Sequence, residues 1–463
     1  MHMSSVSARP RAPLWKSTLT IFFVLLVTDG AIRKWLLPNA SSMVFVLKDM
    51  VLLAAAALLF LMSPGSTRTR IQSLPTAIKL MFALWCALIF VQVFAGQFSL
   101  ASFVGARYYL ISVPLVLLVY RAIGNDGDVV KVERQIAVMV LLTGLLAWVQ
   151  FYSDYDSPVN RYAWDSFENV ALSAGEDPYG AYRVRVTSTF SYISTYTSFL
   201  YFATPVICAM VVAARSRRDV LLGSCALAML ASNAMMTGAR AAVLFFGLTI
   251  LLFMPFFASR VRSIVRSPTG LVVAVALLVL AIALAVEPAQ AIWARAVYAS
   301  GEEDSTGRFM SALLSPFHTL QASEPLGIGI GKTFLGFGEL LGTSSSHGSF
   351  NEVLDDRVGI ELGYLIYPFV IWVKLYFLYL GARLAWRTRF VFIKATALAM
   401  FAHQMAYLLT IPFYNPVASP LYFASIGMLL SLQAMDRQYA AQRMRSRKHL
   451  KPMGALEASP AAS

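Results

Sequence analysis

Charge is scarce in this chain. Of its 463 residues only 13% are Asp, Glu, Lys or Arg, against roughly 25% in an ordinary soluble domain. That deficit excludes a solvated globular surface. Cysteine is almost as rare: Cys86, Cys208 and Cys225 all fall inside apolar runs, which excludes a disulfide framework in external loops and a thiolate zinc site. The five histidines, His2, His318, His347, His403 and His449, show no H-x-x-x-H pairing, and no C-x-x-C occurs. No transition metal is expected, and no cofactor. His403 lies in an apolar run and is expected to be a hydrogen-bonded packing residue. A cleavable leader is also missing: Lys16 precedes the apolar run Leu19–Val27, but no A-x-A-like site follows. No internal repeat, coiled coil or appended soluble domain is visible.

What is present is hydrophobic length. Apolar residues make up 58% of the chain and the mean hydropathy is +0.64. Runs of about 17–25 residues, enough for a hydrocarbon core of about 30 Å, recur at 15–37, 43–62, 77–95, 104–120, 135–152, 190–213, 219–237, 239–258, 269–287, 359–382, 391–411 and 416–434. They are too long for barrel strands, so the expected fold is an all-α integral membrane protein of about twelve transmembrane helices. Asp29 and Arg33, four residues apart at the end of the first run, are spaced to pair.

Net charge is +14, and its placement is informative. Alternate loops collect Arg9, Arg11 and Lys16; Arg68, Arg70 and Lys79; Arg121, Lys131 and Arg134; Arg215, Arg217 and Arg218; Arg260, Arg262 and Arg266; and Arg383, Arg387, Arg389 and Lys394. The tail Arg437–Lys451 joins the same set. The positive-inside rule makes that face cytoplasmic, with both termini inside. The basic tail reads as a topology anchor beside anionic membrane lipids rather than as a nucleic-acid site. The expected organisation is a cytoplasmic tail (1–14), nine crossings (15–287), a large outer loop (288–358), three crossings (359–434) and a basic cytoplasmic tail (435–463).

Two long polar segments, Ser153–Val186 and Pro288–Val358, fall on the outer side. Loops of that length usually carry a role, and the second has helix-like patches at Ile292–Tyr298, Arg308–Leu320 and Phe350–Asp355. It also contains PLGIGIGKTF. A phosphate-binding loop needs G-x-x-x-x-G-K-[ST], but Leu326 stands where the first glycine belongs. A glycine-rich turn is the plain account. Outward N–H groups near a lipid diphosphate are the alternative.

Ionisable residues at a membrane edge are costly unless partnered. Arg240 in TGAR stands between two crossings with almost no loop around it. Arg185 lies in RVRVTSTF just before a crossing, and Arg308 begins a patch of the large loop. Each has a plain account as a snorkelling surface arginine. Together they would supply planar, permanently charged donors suited to phosphate oxygens. His347, in SSSHGSFNEVLDDR, has an ordinary pKa that suits a general base, and Glu352, Asp355, Asp356 and Glu361 are alternatives. A solvated loop histidine is the plain account of His347.

TGAR, a loop arginine, PLGIGIG, a histidine and ELG in that order resemble the O-antigen ligase / Wzy-type polysaccharide polymerase superfamily, over about residues 180–370. DGAIRKWLLP followed by LKD resembles a subgroup associated with exopolysaccharide assembly. Gly348 and Asn351 depart from the H-N-x-x-L pattern of that family. RVGIELG resembles a version built on R-x-x-x-E-x-G. The resemblance implies a metal-independent glycosyltransferase of GT-C type in the bacterial inner membrane. Its donor would be a polyprenyl-diphosphate-linked oligosaccharide and its acceptor a glycan or glycolipid, with other polysaccharide-assembly proteins as partners. Carried over by motif, Arg240 and Arg308 would hold the diphosphate, with His347 or Glu352 activating the acceptor. Arg185, Arg357, Lys332 and Glu361 would line the substrate. The competing class is a transporter or flippase for a lipid-linked glycan, which would bind the same diphosphate without breaking it.

Overall fold

The structure, a computed structural model, describes residues 13–95, 100–162, 183–265, 279, 283, 285–294, 305–333 and 354–449. These residues are overwhelmingly helical. Helix α1 is Leu14–Ala31 and runs into a π-helical turn, Ile32–Leu36. There follow α2 (Ser41–Met62), α3 (Pro64–Gln72), α4 (Thr76–Ala95), α5 (Leu100–Leu110), α6 (Pro114–Ala122), α7 (Asp126–Tyr152), α8 (Ile193–Ala213), α9 (Arg217–Met236) and α10 (Arg240–Val265). Beyond these lie α11 (Ser305–Ala322), α12 (Leu354–Arg387), α13 (Val391–Ala406) and α14 (Ala418–His449).

Among the described residues, nine helical stretches are long and apolar enough to cross a membrane, and Val391–Ala406 is a shorter apolar helix. The run at 269–287 lies mostly outside the described residues. The run at 104–120 is not one straight helix. A turn at 111–113 separates α5 from α6, because Pro114 has no N–H to donate and its ring crowds the preceding turn.

The packing is that of a chain surrounded by hydrocarbon. Leu142, Leu248, Leu365 and Trp372 face outward, while Gln92, Glu133, Asn233 and Lys374 are buried. Polar side chains in crossings turn inward because lipid offers them no partner. Helix α8 lies at the centre, with neighbours on nearly every side. His403 is fully buried there between the rings of Phe202 and Tyr407. It packs as expected, but neither ring nitrogen has a hydrogen-bond partner among the described residues.

The alternating basic loops gather at one end of the bundle. Lys16 donates to the Ala122 carbonyl (3.2 Å) and Arg215 pairs with Asp126 (2.6 Å), which also accepts from Tyr439 (2.7 Å). Arg134 grips both oxygens of Asp219, and Thr388 donates to Asp436. The opposite end holds the polar assemblies described next.

Candidate functional site

The first assembly surrounds a stretch that is not helical. Arg183–Tyr192 runs between α7 and α8, and Val186, Thr187, Ser188, Phe190 and Ser191 are buried. Irregular backbone at membrane depth must find its partners inside the protein, and here it does. The Ser188 amide donates to Gln150 Oε1 (2.6 Å) and the Ser188 hydroxyl to the Thr143 carbonyl (2.7 Å). Ser188 adopts φ 52, a left-handed conformation that costs a non-glycine residue roughly 1–2 kcal/mol. Helix α1 presses on this stretch through Gly30, where a Cβ would fall on the backbone of Thr189 and Ser191.

Cations converge on that stretch. Lys34 donates to Thr187 Oγ1 (2.6 Å) and to the Ser188 carbonyl (2.8 Å). Arg33 donates to Ser191 Oγ (3.1 Å) and Ser41 Oγ (2.8 Å). Lys34 and Arg33 are only 3% and 4% exposed. Arg185 Nε donates to the Thr237 carbonyl (3.0 Å), and Val186 N to the Met236 carbonyl (3.2 Å). The turn gripped by Arg185 is TGAR itself. Gly238 at φ +62 ends α9 as a left-handed cap, and Arg240 is the first residue of α10. The structure therefore brings Arg185 against the turn that carries Arg240, and adds Arg33 and Lys34 from the first motif of the chain.

Two ion pairs stand beside this group. Asp29 takes the ammonium of Lys48 (2.9 Å), contributed by α2, and Asp49 pairs with Arg107 from α5. Among the described residues, four basic side chains, Arg33, Lys34, Lys48 and Arg107, stand here against two acidic ones, Asp29 and Asp49. Burying a charge costs several kcal/mol unless it is matched, and the matches seen here are the carboxylates of Asp29 and Asp49 and the oxygens of Thr187, Ser188 and Ser191.

The second assembly is a joint between loop and helix. Helix α12 breaks at Gly363 (φ 74), and Glu324–Gly329 fills the break. Ile328 N and Gly329 N donate to the Ile360 and Glu361 carbonyls (3.0 and 3.2 Å). Tyr364 N and Leu365 N donate to the Glu324 and Pro325 carbonyls (3.2 and 3.1 Å). The loop thus supplies the partners that the interrupted helix has lost. Gly327 (φ 68), Gly329 (φ 97) and Gly331 (φ 82) are all left-handed, so PLGIGIG is a turn built on glycine's conformational freedom. Four amides of PLGIGIGKTF are not available to a phosphate. The amides of Gly327, Ile328, Gly329 and Thr333 all bond to protein acceptors.

Glu361 closes the joint. Fully buried, it accepts from Thr333 N (3.1 Å), Thr333 Oγ1 (2.6 Å), Tyr109 OH (3.0 Å) and Tyr414 OH. Gln92 Nε2 adds bonds to the Leu326 and Leu362 carbonyls. Glu361 was expected to face substrate, but its carboxylate is committed to four protein donors. Lys332 is exposed at the rim of the joint. Arg357, in the first turns of α12, is half-buried, and its Nε has no hydrogen-bond partner among the described residues. Arg308 lies in the first turn of α11, which packs along α12 through Thr319 against Gly359. His347 and Glu352 lie outside the described residues. Among the described residues no cluster of His, Cys, Asp and Glu is arranged to hold a metal ion.

Gly363→Ala is expected to lower the melting temperature in mild detergent by several degrees. Its φ is left-handed, and its Cβ would fall on the Gly327 amide and the Pro325 carbonyl. Gly65→Ala, where nothing lies within 4 Å, should leave the melt unchanged. Equal melts for the two variants would refute the joint.

Reading the residues alone missed Lys34, Lys48, Arg107, Tyr109, Tyr414 and Gln150. One signal was available: Lys48, Asp49 and Arg107 interrupt otherwise apolar crossings, where ionisable side chains are rare. The chain matches no family model, no curated protein and no solved structure.

Proposed function

We propose that this chain is a membrane glycosyltransferase of GT-C type with twelve crossings, moving a glycan from a polyprenyl diphosphate to an acceptor hydroxyl. The step breaks the bond between the anomeric carbon and the phosphate oxygen and forms one to the acceptor oxygen. The acceptor's proton passes to a base, His347 or Glu352, and the polyprenyl diphosphate leaves. Such a leaving group is already activated, so cationic clamps and one base suffice. Polymerisation of a surface or exopolysaccharide is favoured over ligation to a lipid acceptor.

One observation carries this reading. DGAIRKW and TGAR, some two hundred residues apart, meet on the same buried stretch: the first brings Arg33 and Lys34 to it, and the stretch's own Arg185 holds the turn that carries Arg240. Arg240 also stands at the N-terminus of α10, where the helix dipole disfavours a cation by about 0.3–1 kcal/mol. An anion held there would offset that cost. By the motif resemblance we assign Arg308 and Arg357 to the same clamp.

The experiment is product analysis with purified protein, a defined lipid-linked oligosaccharide and candidate acceptors. Release of polyprenyl diphosphate together with a lengthened or transferred glycan is expected. Binding of the donor without release, in the presence of every acceptor class, would favour a transporter.

Sidedness has its own check. A reporter active only in the cytoplasm should work when fused after Arg217 or Arg387 and stay silent within 300–346. The reverse pattern would put the cationic stretch on the wrong side for a polyprenyl-linked donor presented outside.

A further inference from the structure

A cleft of about 310 Å³ runs along the bundle between α1 and α7, floored by Phe202, Ala424 and Met428 of the helices behind them. Its walls are mainly apolar, and it is open along the side where Val24 is exposed. At the end bearing the cationic stretch α1 closes it, since Thr189 Oγ1 bonds the Val27 carbonyl (2.6 Å) and Gly30 lies on the 189–191 backbone. The polar mouth is at the opposite end, among the gathered basic loops, where Lys16, Asp128 and Lys131 stand at the rim. Asp128 already accepts the Gly124 amide (2.9 Å), so the mouth carries two ammonium groups against one engaged carboxylate.

We propose that this cleft binds an anionic phospholipid, with one acyl chain between α1 and α7 and its phosphodiester held by Lys16 and Lys131. Three arguments select that occupant. A transmembrane helix about 10–12 Å across does not fit the volume, which is at the small end of the range for single-ligand sites. Apart from Ser17, Thr20 and Gln135, each within about one helical turn of the two mouth lysines, the lining along the cleft is apolar, so the deep part of the occupant is hydrocarbon. The charge at the mouth is positive, and each lysine near a membrane surface favours an anionic headgroup. The site is separate from the cationic stretch at the other end of the bundle and does not depend on what is transferred there.

The test uses full-length protein, delipidated in detergent and exchanged into vesicles of phosphatidylcholine with an equal minor fraction of either phosphatidylglycerol or additional phosphatidylcholine. Native mass spectrometry reads the lipid retained. Wild-type protein should retain phosphatidylglycerol in preference, and K16E/K131E should lower that preference about tenfold, as expected for losing two lysine contacts to the headgroup. Phosphatidylglycerol carrying a diazirine in its acyl chain should crosslink to α1 and α7. Should K16E/K131E fold poorly, K16Q/K131Q serves, with a smaller expected loss. Equal retention of the two lipids by wild type, unchanged retention in the lysine variants, or crosslinks spread equally onto α10 would overturn the proposal.

Discussion

Arg240→Lys is expected to lower glycan transfer about tenfold or more, while binding of the lipid-linked donor falls much less. Lysine keeps the charge but loses the planar two-pronged donor that matches a phosphate. A hydrogen bond to a charged group contributes roughly 1.5–3 kcal/mol, and about 1.4 kcal/mol is a factor of ten in rate. A loss confined to transfer would place the interaction in the transition state, where charge on the departing diphosphate is largest. The surroundings make this a clean comparison. Arg240 is the first residue of α10, and the turn before it is fixed by the Gly238 cap and by Arg185 on the Thr237 carbonyl. The variant's side chain therefore starts from an unchanged backbone. A merely structural arginine gives another pattern, with normal transfer per folded molecule and a lower yield from the membrane.

The largest effect on stability is expected at Asp29, and it should be asymmetric. Asp29→Asn leaves Lys48, 2% exposed, without its ion-pair partner, a change that typically costs about 3–5 kcal/mol. Lys48→Met should cost less. Asp29 then still faces the positive charges of Arg33 and Lys34, and the group loses one unit of its excess. The double variant Asp29→Asn/Lys48→Met should recover most of the loss, because two buried charges are removed together. Unfolding midpoints in mixed mild detergent and SDS would measure all three. Equal losses from the two single variants would argue against a net positive group.

The crossings were legible because hydrocarbon imposes a single rule on length and composition. Ser41–Met62, Thr76–Ala95 and Ile193–Ala213 begin and end within a few residues of their apolar runs. Leaving the crossings, sequence reading weakens for a physical reason. Asp29 was expected to pair four residues along its own helix, since spacing reports only neighbours on one helix. Asp29 does attract Arg33, but its close ion pair is with Lys48, which arrives from α2. Glu361 was read as substrate-facing on motif grounds, and nothing local contradicts that. Its donors Tyr109 and Tyr414 lie 252 and 53 residues away, and no periodicity links them. The glycine turn was read correctly as a turn. That it mends a broken helix depends on Gly363, which in sequence is one small residue within an apolar run.

The joint at Glu361 also bears on how such a chain is made. Ribosomes deliver crossings in order, and α12 enters the bilayer carrying a carboxylate that α12 alone cannot satisfy. Tyr109 and Thr333 are already synthesised by then, but Tyr414 follows only after α13 has emerged. Until that moment the translocation machinery, or a local water defect, has to shelter Glu361. A nascent chain stopped short of Tyr414 is therefore a natural substrate for membrane quality control, and emergence of the segment between α13 and α14 releases it.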